Sequence, residues 1–256
     1  MKFLAILFVL ALRRFTQYRP LSIFSSEQHW IGRFIIACVF SLVAEWVLIT
    51  VSGVAYGLAT LILQCLLFFY LVVRPSAAGM LDQYIGYVQR GDAEAAYLHA
   101  SGFLALSSNE IGTDETLEAG VFDKYVVLMF NLFFLPLLMF WMLGSVGLIF
   151  AVLVFDFSDD CPRTPAFFKL LRRVLQFPLI FTYYICGHSV AVWPVITSGR
   201  FSDAGLVAAA REAIAKDEKL ALHSITSLKS LNERVLLVWL FLMGLSVIFG
   251  VSSPLY

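Results

Sequence analysis

An ionisable side chain inside an apolar run is the first place to look for chemistry in a greasy chain. A bare charge at membrane depth costs at least about 2.5 kcal/mol, so it calls for a named partner. Glu45 is such a residue: it stands in AEWV, about the middle of the apolar run 34–53. A carboxylate there can take a proton, a cation or an amine. It can equally be a neutral carboxyl, or one hydrogen-bonded to a neighbour such as Gln64 on the next helix. His188 follows Gly187 in the run 174–199 and reads either as a proton carrier or ligand, or as a ring bonding a facing backbone carbonyl. Asn131 can bridge helices for roughly 1 kcal/mol, and Pro136 bends the run it shares with Asn131. These four, Glu45, Asn131, Pro136 and His188, are the candidate ligand-site residues. Asp156, Asp159 and Asp160 place three carboxylates within five residues, the donor type for Mg²⁺ or Ca²⁺. No glycine turn accompanies them, so they read as a solvated loop, and no metal or cofactor is assigned.

The elements that position these residues are membrane helices. Residues 125–155, YVVLMFNLFFLPLLMFWMLGSVGLIFAVLVF, form an uncharged run longer than the ~20 residues a straight span requires. The chain is 60% hydrophobic and only 14% charged over 256 residues, against roughly 25% charged in a globular domain. Its formal net charge is zero, which leaves no electrostatic case for nucleic acid as a partner. Cys38, Cys65 and Cys186 lie in apolar runs and Cys161 in a loop, without a CxxC pair. They read as buried free thiols rather than as a disulfide scaffold or zinc site. The start, MKFLAILFVLALRRF, reads as a retained apolar helix, because arginines follow it and no small-residue cleavage site precedes the next run.

The expected fold class is an all-α integral membrane protein with about five transmembrane helices. An N-terminal apolar helix and basic segment (1–33) precedes a tight transmembrane hairpin (34–53 and 54–73). A helical hairpin and acidic loop (74–124) follow. Then come a long span bent by proline and glycine (125–155), a loop, a fourth span (174–199), an amphipathic segment (200–234) and a last span in 235–256. Gly144 and Gly147 serve close helix packing. Lysine and arginine place 1–33, 74–124 and 200–234 on the cytoplasmic side. The same rule is violated by the loop 156–173, which carries Arg163, Lys169, Arg172 and Arg173. A re-entrant hairpin within 125–155 is the alternative that returns this loop to the cytoplasm.

Within 76–106 apolar residues recur at helical spacing until Gly91-Asp92, which reads as a helix stop followed by an N-cap. SSNEIGTDETLEAG reads as a loop. Ser202 is a predicted N-cap, with Asp203 in the first turn of an amphipathic helix that runs on to Ile225.

No P-loop, GxGxxG, HExxH or GxSxG element is present, and no catalytic residue is assigned. The chain nevertheless resembles a known family. FFLPLLMFWMLGSVGLIFAVLVF (133–155) is similar to a pattern of proline, aromatic cluster and spaced glycines. YIGYVQRGDAEAAYLHASGFL (84–104) is similar to its helix, polar break and alanine-rich helix. The order FP (177–178), GH (187–188), WP (193–194) completes the likeness. These features resemble the AmpE group, inner-membrane proteins associated with control of β-lactamase induction in Gram-negative bacteria. That group is similar to the CbiB/CobD cobalamin-biosynthesis membrane family, which includes the adenosylcobinamide-phosphate synthase.

The departures from the synthase pattern matter. Its Glu-Asn pair and Asp correspond to Leu128-Met129-Phe130-Asn131, its Pro-Ala-Arg to Pro178-Leu179-Ile180, and an acid of its first helix to Arg13. The resemblance therefore implies the fold rather than the amide-forming chemistry. It implies a non-enzymatic inner-membrane signalling or modulator protein; the charge balance adds cytoplasmic larger loops, and the proline-bent span suggests a ligand-binding intramembrane cavity. Expected partners are the lipid bilayer, a small-molecule ligand and a second copy of the chain. The competing expectations are a cobalamin-type membrane synthase and a small-molecule transporter.

Overall fold

The computed structural model describes residues 2–12, 30–52, 57–73, 78–104, 114–154, 166–199, 201–214 and 221–250. Among these, every regular element is helical. In chain order they are α1 (Lys2–Leu12), α2 (Trp30–Val51), α3 (Leu58–Phe68), α4 (Ala78–Gln89), α5 (Ala93–Leu104) and α6 (Asp114–Met129), then α7 (Leu135–Leu143), α8 (Ser145–Val154), α9 (Ala166–Cys186), α10 (Ser189–Thr197), α11 (Asp203–Ala213) and α12 (Ala221–Ile248). π-helical turns, Phe69–Val73 and Phe130–Phe134, continue α3 and join α6 to α7. Three helical stretches are long and apolar enough to cross a membrane: Phe34–Val51, Leu117–Leu143 and Ile225–Ile248.

The chain divides into two compact units. One comprises Met1–Ser76, Asn131–Arg172 and Leu242–Tyr256; the other comprises Ala77–Phe130 and Arg173–Phe241.

In the first unit α2 lies against α8, and α3 against α1. The sides of α2 are inverted relative to a soluble helix. Ile35, Val39, Phe40, Leu42, Val43 and Trp46 are exposed, while Ser41 is buried and Glu45 half-buried. Exposed apolar and inward polar side chains suit a hydrocarbon solvent, where the hydrophobic effect gives no reason to hide leucine. Ala37 packs with Ile149, Leu153 and Val154, and Phe34 meets Phe150 edge to face. Glu45 instead meets Ser145, so α2 and α8 run antiparallel.

The run 125–155 differs from the single crossing expected. Pro136 has no N–H, and its ring crowds the carbonyl one turn earlier. The helix widens there into the π-helical turn Phe130–Phe134 and then continues through α7. The true break is Gly144, at φ 71°, a conformation that L side chains rarely adopt. Beyond it α8 folds back along α7. A Cβ on Gly147 would collide with the Met139 carbonyl oxygen and fall 2.7 Å from Leu143 Cβ. Eight residues of straight helix would separate positions 139 and 147 by about 12 Å. The expected 34–73 hairpin is also rearranged. Its second arm is only α3 and its π-helical turn, and α2 takes α8 as its main neighbour.

The second unit opens with the helical hairpin expected in 76–106. Gly91 sits at φ 75°, and the Ala95 N–H donates to Asp92 Oδ1 at 3.0 Å. Tyr87 and His99 pack ring to ring, and His99 Nε2 bonds the Met80 carbonyl oxygen at 3.0 Å. α6 begins at Asp114, inside the segment read as a loop; 105–113 lie outside the described residues. The fourth span is corrected too. α9 starts at Ala166 and ends at Cys186, and α10 begins after Gly187-His188. Gly187 lies so near Ala213 that a Cβ would be 2.6 Å from the Ala213 carbonyl oxygen. Ser202 caps α11 as predicted, accepting from the Gly205 N–H at 3.2 Å. α11 stops at Ala213, short of the expected Ile225, and α12 already starts at Ala221, fourteen residues before the expected last span.

Candidate functional site

Four chain elements come together at one end of the first unit. These are the start of α1, the last two turns of α2, the first two turns of α3 and the α7–α8 junction. Between them lies a cavity of about 50 Å³, lined by Lys2, Glu45, Leu48, Ile49, Ser52, Thr60, Gln64, Leu143, Gly144 and Ser145. Each polar side chain is there for a local reason. Glu45 follows Ser41 by one turn on the inward side of α2. Thr60 and Gln64 are likewise one turn apart on α3, and both are buried. Gly144 ends α7, its N–H donating to the Phe140 carbonyl oxygen at 2.9 Å, and its own carbonyl accepts from the Leu148 N–H in α8. Ser145 is thereby delivered as the first residue of α8.

The electrostatics of the cavity are uneven. Ser145 Oγ donates to Glu45 Oε2 at 2.8 Å. The carboxylate sits beside the N-terminal end of α8, where the helix dipole favours negative charge. Lys2 lies within electrostatic range of Glu45. The lysine stem passes over Gly144: a Cβ there would be 3.2 Å from Lys2 Cε and 3.3 Å from Nζ. So Gly144 serves twice, as the reversal of the chain and as the clearance for Lys2. Thr60 Oγ1 and Gln64 Oε1 are buried without a hydrogen-bond partner. A buried polar group without a partner costs about 1–3 kcal/mol.

The predicted candidates separate. Glu45 lines the cavity, with Ser145 as its partner rather than the predicted Gln64, though Gln64 lines the same space. Pro136 is buried in α7 and Asn131 half-buried in the π-helical turn before it; neither lines the cavity. Asn131 Oδ1 is buried and unpartnered, like Thr60 Oγ1 and Gln64 Oε1. His188 belongs to the second unit. Its ring is exposed, and its backbone N–H, not its side chain, donates to the Ala213 carbonyl oxygen at 2.9 Å. Asp156, Asp159, Asp160 and Cys161 lie outside the described residues. Among the described residues, no three His, Cys, Asp or Glu side chains gather as a metal site.

Sequence reading missed Lys2, Thr60 and Ser145. Two of them carried a signal. Lys2 opens an apolar helix as its only charge, and Ser145 follows directly on Gly144 in the longest apolar run. Thr60 carried none, since a lone threonine in a membrane helix is ordinary.

The fold and the cavity define a class: a helical protein with three helices long and apolar enough to cross a membrane and, in its first unit, a small cavity lined by charged and apolar side chains. No family model, no curated protein and no solved structure matches the chain.

Proposed function

We propose that this chain is a multi-pass inner-membrane sensor or modulator similar to the AmpE group, acting in cell-envelope signalling or β-lactamase induction, with the Glu45 cavity as its ligand site. The observation that carries the reading is the cavity itself. A half-buried carboxylate and a half-buried ammonium line one cavity together with Thr60 and Gln64. A charged pair beside a cavity among apolar helices costs stability that a bound polar ligand repays. We assign recognition to the site, with the Ser145-held Glu45 carboxylate and the Lys2 ammonium as its charged contacts.

The test is genetic and direct. In the native host, replacement of the chromosomal gene by Glu45→Gln should reduce the induction response of β-lactamase, or the equivalent envelope response, as deletion does. Asn131→Ala, away from the cavity, should leave it near wild type. Induction unchanged by Glu45→Gln at normal protein level removes this reading. The synthase reading is tested separately: incubation of the purified protein with ATP and corrinoid substrate should give no turnover.

A further inference from the structure

The second unit folds residues 174–199 as a hairpin. α9 runs to Cys186, the helix breaks at Gly187-His188, and α10 follows. Contacts with α11 fix the direction of α10. Near the start of α11, Gln176 Nε2 of α9 donates to Asp203 Oδ1 at 2.6 Å, and the Phe177 and Phe201 rings meet edge to face with centroids 5.5 Å apart. At the other end of α11, the His188 N–H donates to the Ala213 carbonyl oxygen at 2.9 Å. So α11 runs parallel to the second half of α9. α10 carries the chain from His188 back to Phe201 and runs antiparallel to both. Tyr184 and Trp193, with ring centroids 5.8 Å apart, close α10 onto α9. From Phe177 to Gly187 the hairpin measures about 15 Å, half of a ~30 Å hydrocarbon core.

One side of this hairpin is apolar and exposed. Val174, Phe177, Phe181 and Ile185 recur there at helical spacing on α9, with Val190 and Trp193 on α10. Both ends are polar. Arg173 is exposed beside Val174. At the turn His188 and Ser189 are exposed, and the half-exposed Arg211–Asp123 pair lies two residues before the end of α11. A hairpin pushed turn-first into the acyl layer would bury these groups, whereas one lying flat keeps both ends at the surface. The part of α12 in this unit sets the level. α12 is long and apolar enough to cross a membrane, and an uncharged stretch begins at Val235, directly after Lys229, Glu233 and Arg234. α9 meets α12 across that boundary. Tyr183 Oη donates to Asn232 Oδ1 at 2.9 Å, and Trp239 Nε1 donates to Thr182 Oγ1 at 3.2 Å. Tryptophan and tyrosine are enriched at this level of a bilayer.

We infer that α9 and α10 form an in-plane hairpin seated at the head-group boundary of a phospholipid bilayer, with its apolar side dipped into the acyl chains and Arg173 on lipid phosphates. The stripe matches the acyl boundary, and the exposed guanidinium matches the charge of the phosphates. Residues 174–199 then do not cross. Lys169, Arg172 and Arg173 share a membrane side with the basic segment 200–234, as the positive-inside rule demands. This inference goes beyond the signalling reading and does not depend on the Glu45 cavity.

Spin labelling of the full chain in phospholipid vesicles tests it. Val174→Cys, Phe181→Cys, Ile185→Cys and Val190→Cys are each labelled in a background whose native cysteines are replaced by serine. Depth is read from relaxation by oxygen and by a water-soluble nickel chelate. All four labels should lie at one depth, about 5–10 Å below the phosphates. A membrane-crossing α9 would separate positions 174 and 185 by about 16 Å in depth, and that result overturns the inference. Labels reached only by the nickel chelate, or by neither probe, overturn it as well. Dipolar broadening between labels assigns the face to a second copy of the chain, which also overturns it. Photolabelling of the unmodified chain keeps the test independent of the substitutions. A phospholipid with a diazirine at the head-group end of its acyl chain should mark α9 and α10 alike. One with the diazirine at the acyl terminus should mark them several-fold less. Marking of the Ile185–Val190 turn mainly by the terminal probe overturns the flat seating.

Discussion

Glu45 owes its environment to a residue one hundred positions away. Ser145 Oγ is the donor that the structure supplies to its carboxylate, and a hydrogen bond to a charged group is worth about 1.5–3 kcal/mol. Ser145→Ala should therefore lower stability by about 1–3 kcal/mol, read as a drop in melting temperature in detergent. Glu45→Gln should cost less than Ser145→Ala, because the neutral amide still accepts from Ser145 and needs no charge stabilisation. A melting temperature unaffected by Ser145→Ala would show that the carboxylate does not depend on this donor. Glu45 itself was legible in the sequence as a carboxylate in an apolar run. Its partner was not, since Ser145 becomes a neighbour only through the reversal at Gly144. His188 shows the opposite outcome: a polar residue in an apolar run whose ring the fold leaves exposed.

Glycine substitutions separate two kinds of glycine in this chain. Gly147 and Gly187 each sit where a Cβ would meet another segment's backbone, Met139 and Ala213 respectively. Gly147→Ala or Gly187→Ala should destabilise by about 1–3 kcal/mol, the usual cost of overpacking. Gly79 and Gly102 lie in helices with nothing within 4 Å of the added methyl. There alanine should be neutral or stabilise by up to about 1 kcal/mol, because glycine is a poor helix former. Thermal melts of the four variants should fall into these two groups; similar shifts for all four would contradict the close approaches. At this scale local signals were read well: the Gly91-Asp92 break and the Ser202 cap depend on residues three or four apart. Helix lengths in the apolar runs were read poorly. α8 is buried on nearly every side, and a helix apolar all round has the same composition whether it faces lipid or protein.

For the whole molecule, the inverted surface has a consequence in bulk behaviour. α9 exposes Phe167, Leu170, Val174, Phe177 and Phe181 while burying Arg172, Gln176 and Thr182. A chain that presents such faces should remain in the membrane pellet after an alkaline carbonate wash and enter solution only with detergent. Release by carbonate alone would contradict a lipid-facing α2. The exposed ion pairs Arg211–Asp123 and Lys229–Asp82 stand apart from this: each is near half-exposed and contributes under about 1 kcal/mol.

By itself the sequence determined that the chain is helical, that it is apolar enough for a bilayer, and that Glu45 stands where a charge needs a reason. Those properties are written in composition and in short-range periodicity, which survive without any tertiary contact. Only the tertiary structure decided that residues 125–155 turn back at Gly144, that α2 pairs with α8, and that Lys2, Thr60, Gln64 and Ser145 line one cavity with Glu45. Apolar runs pack with little directional preference in lipid, so their pairing is selected by small residues and by a few distant polar atoms that composition alone cannot match.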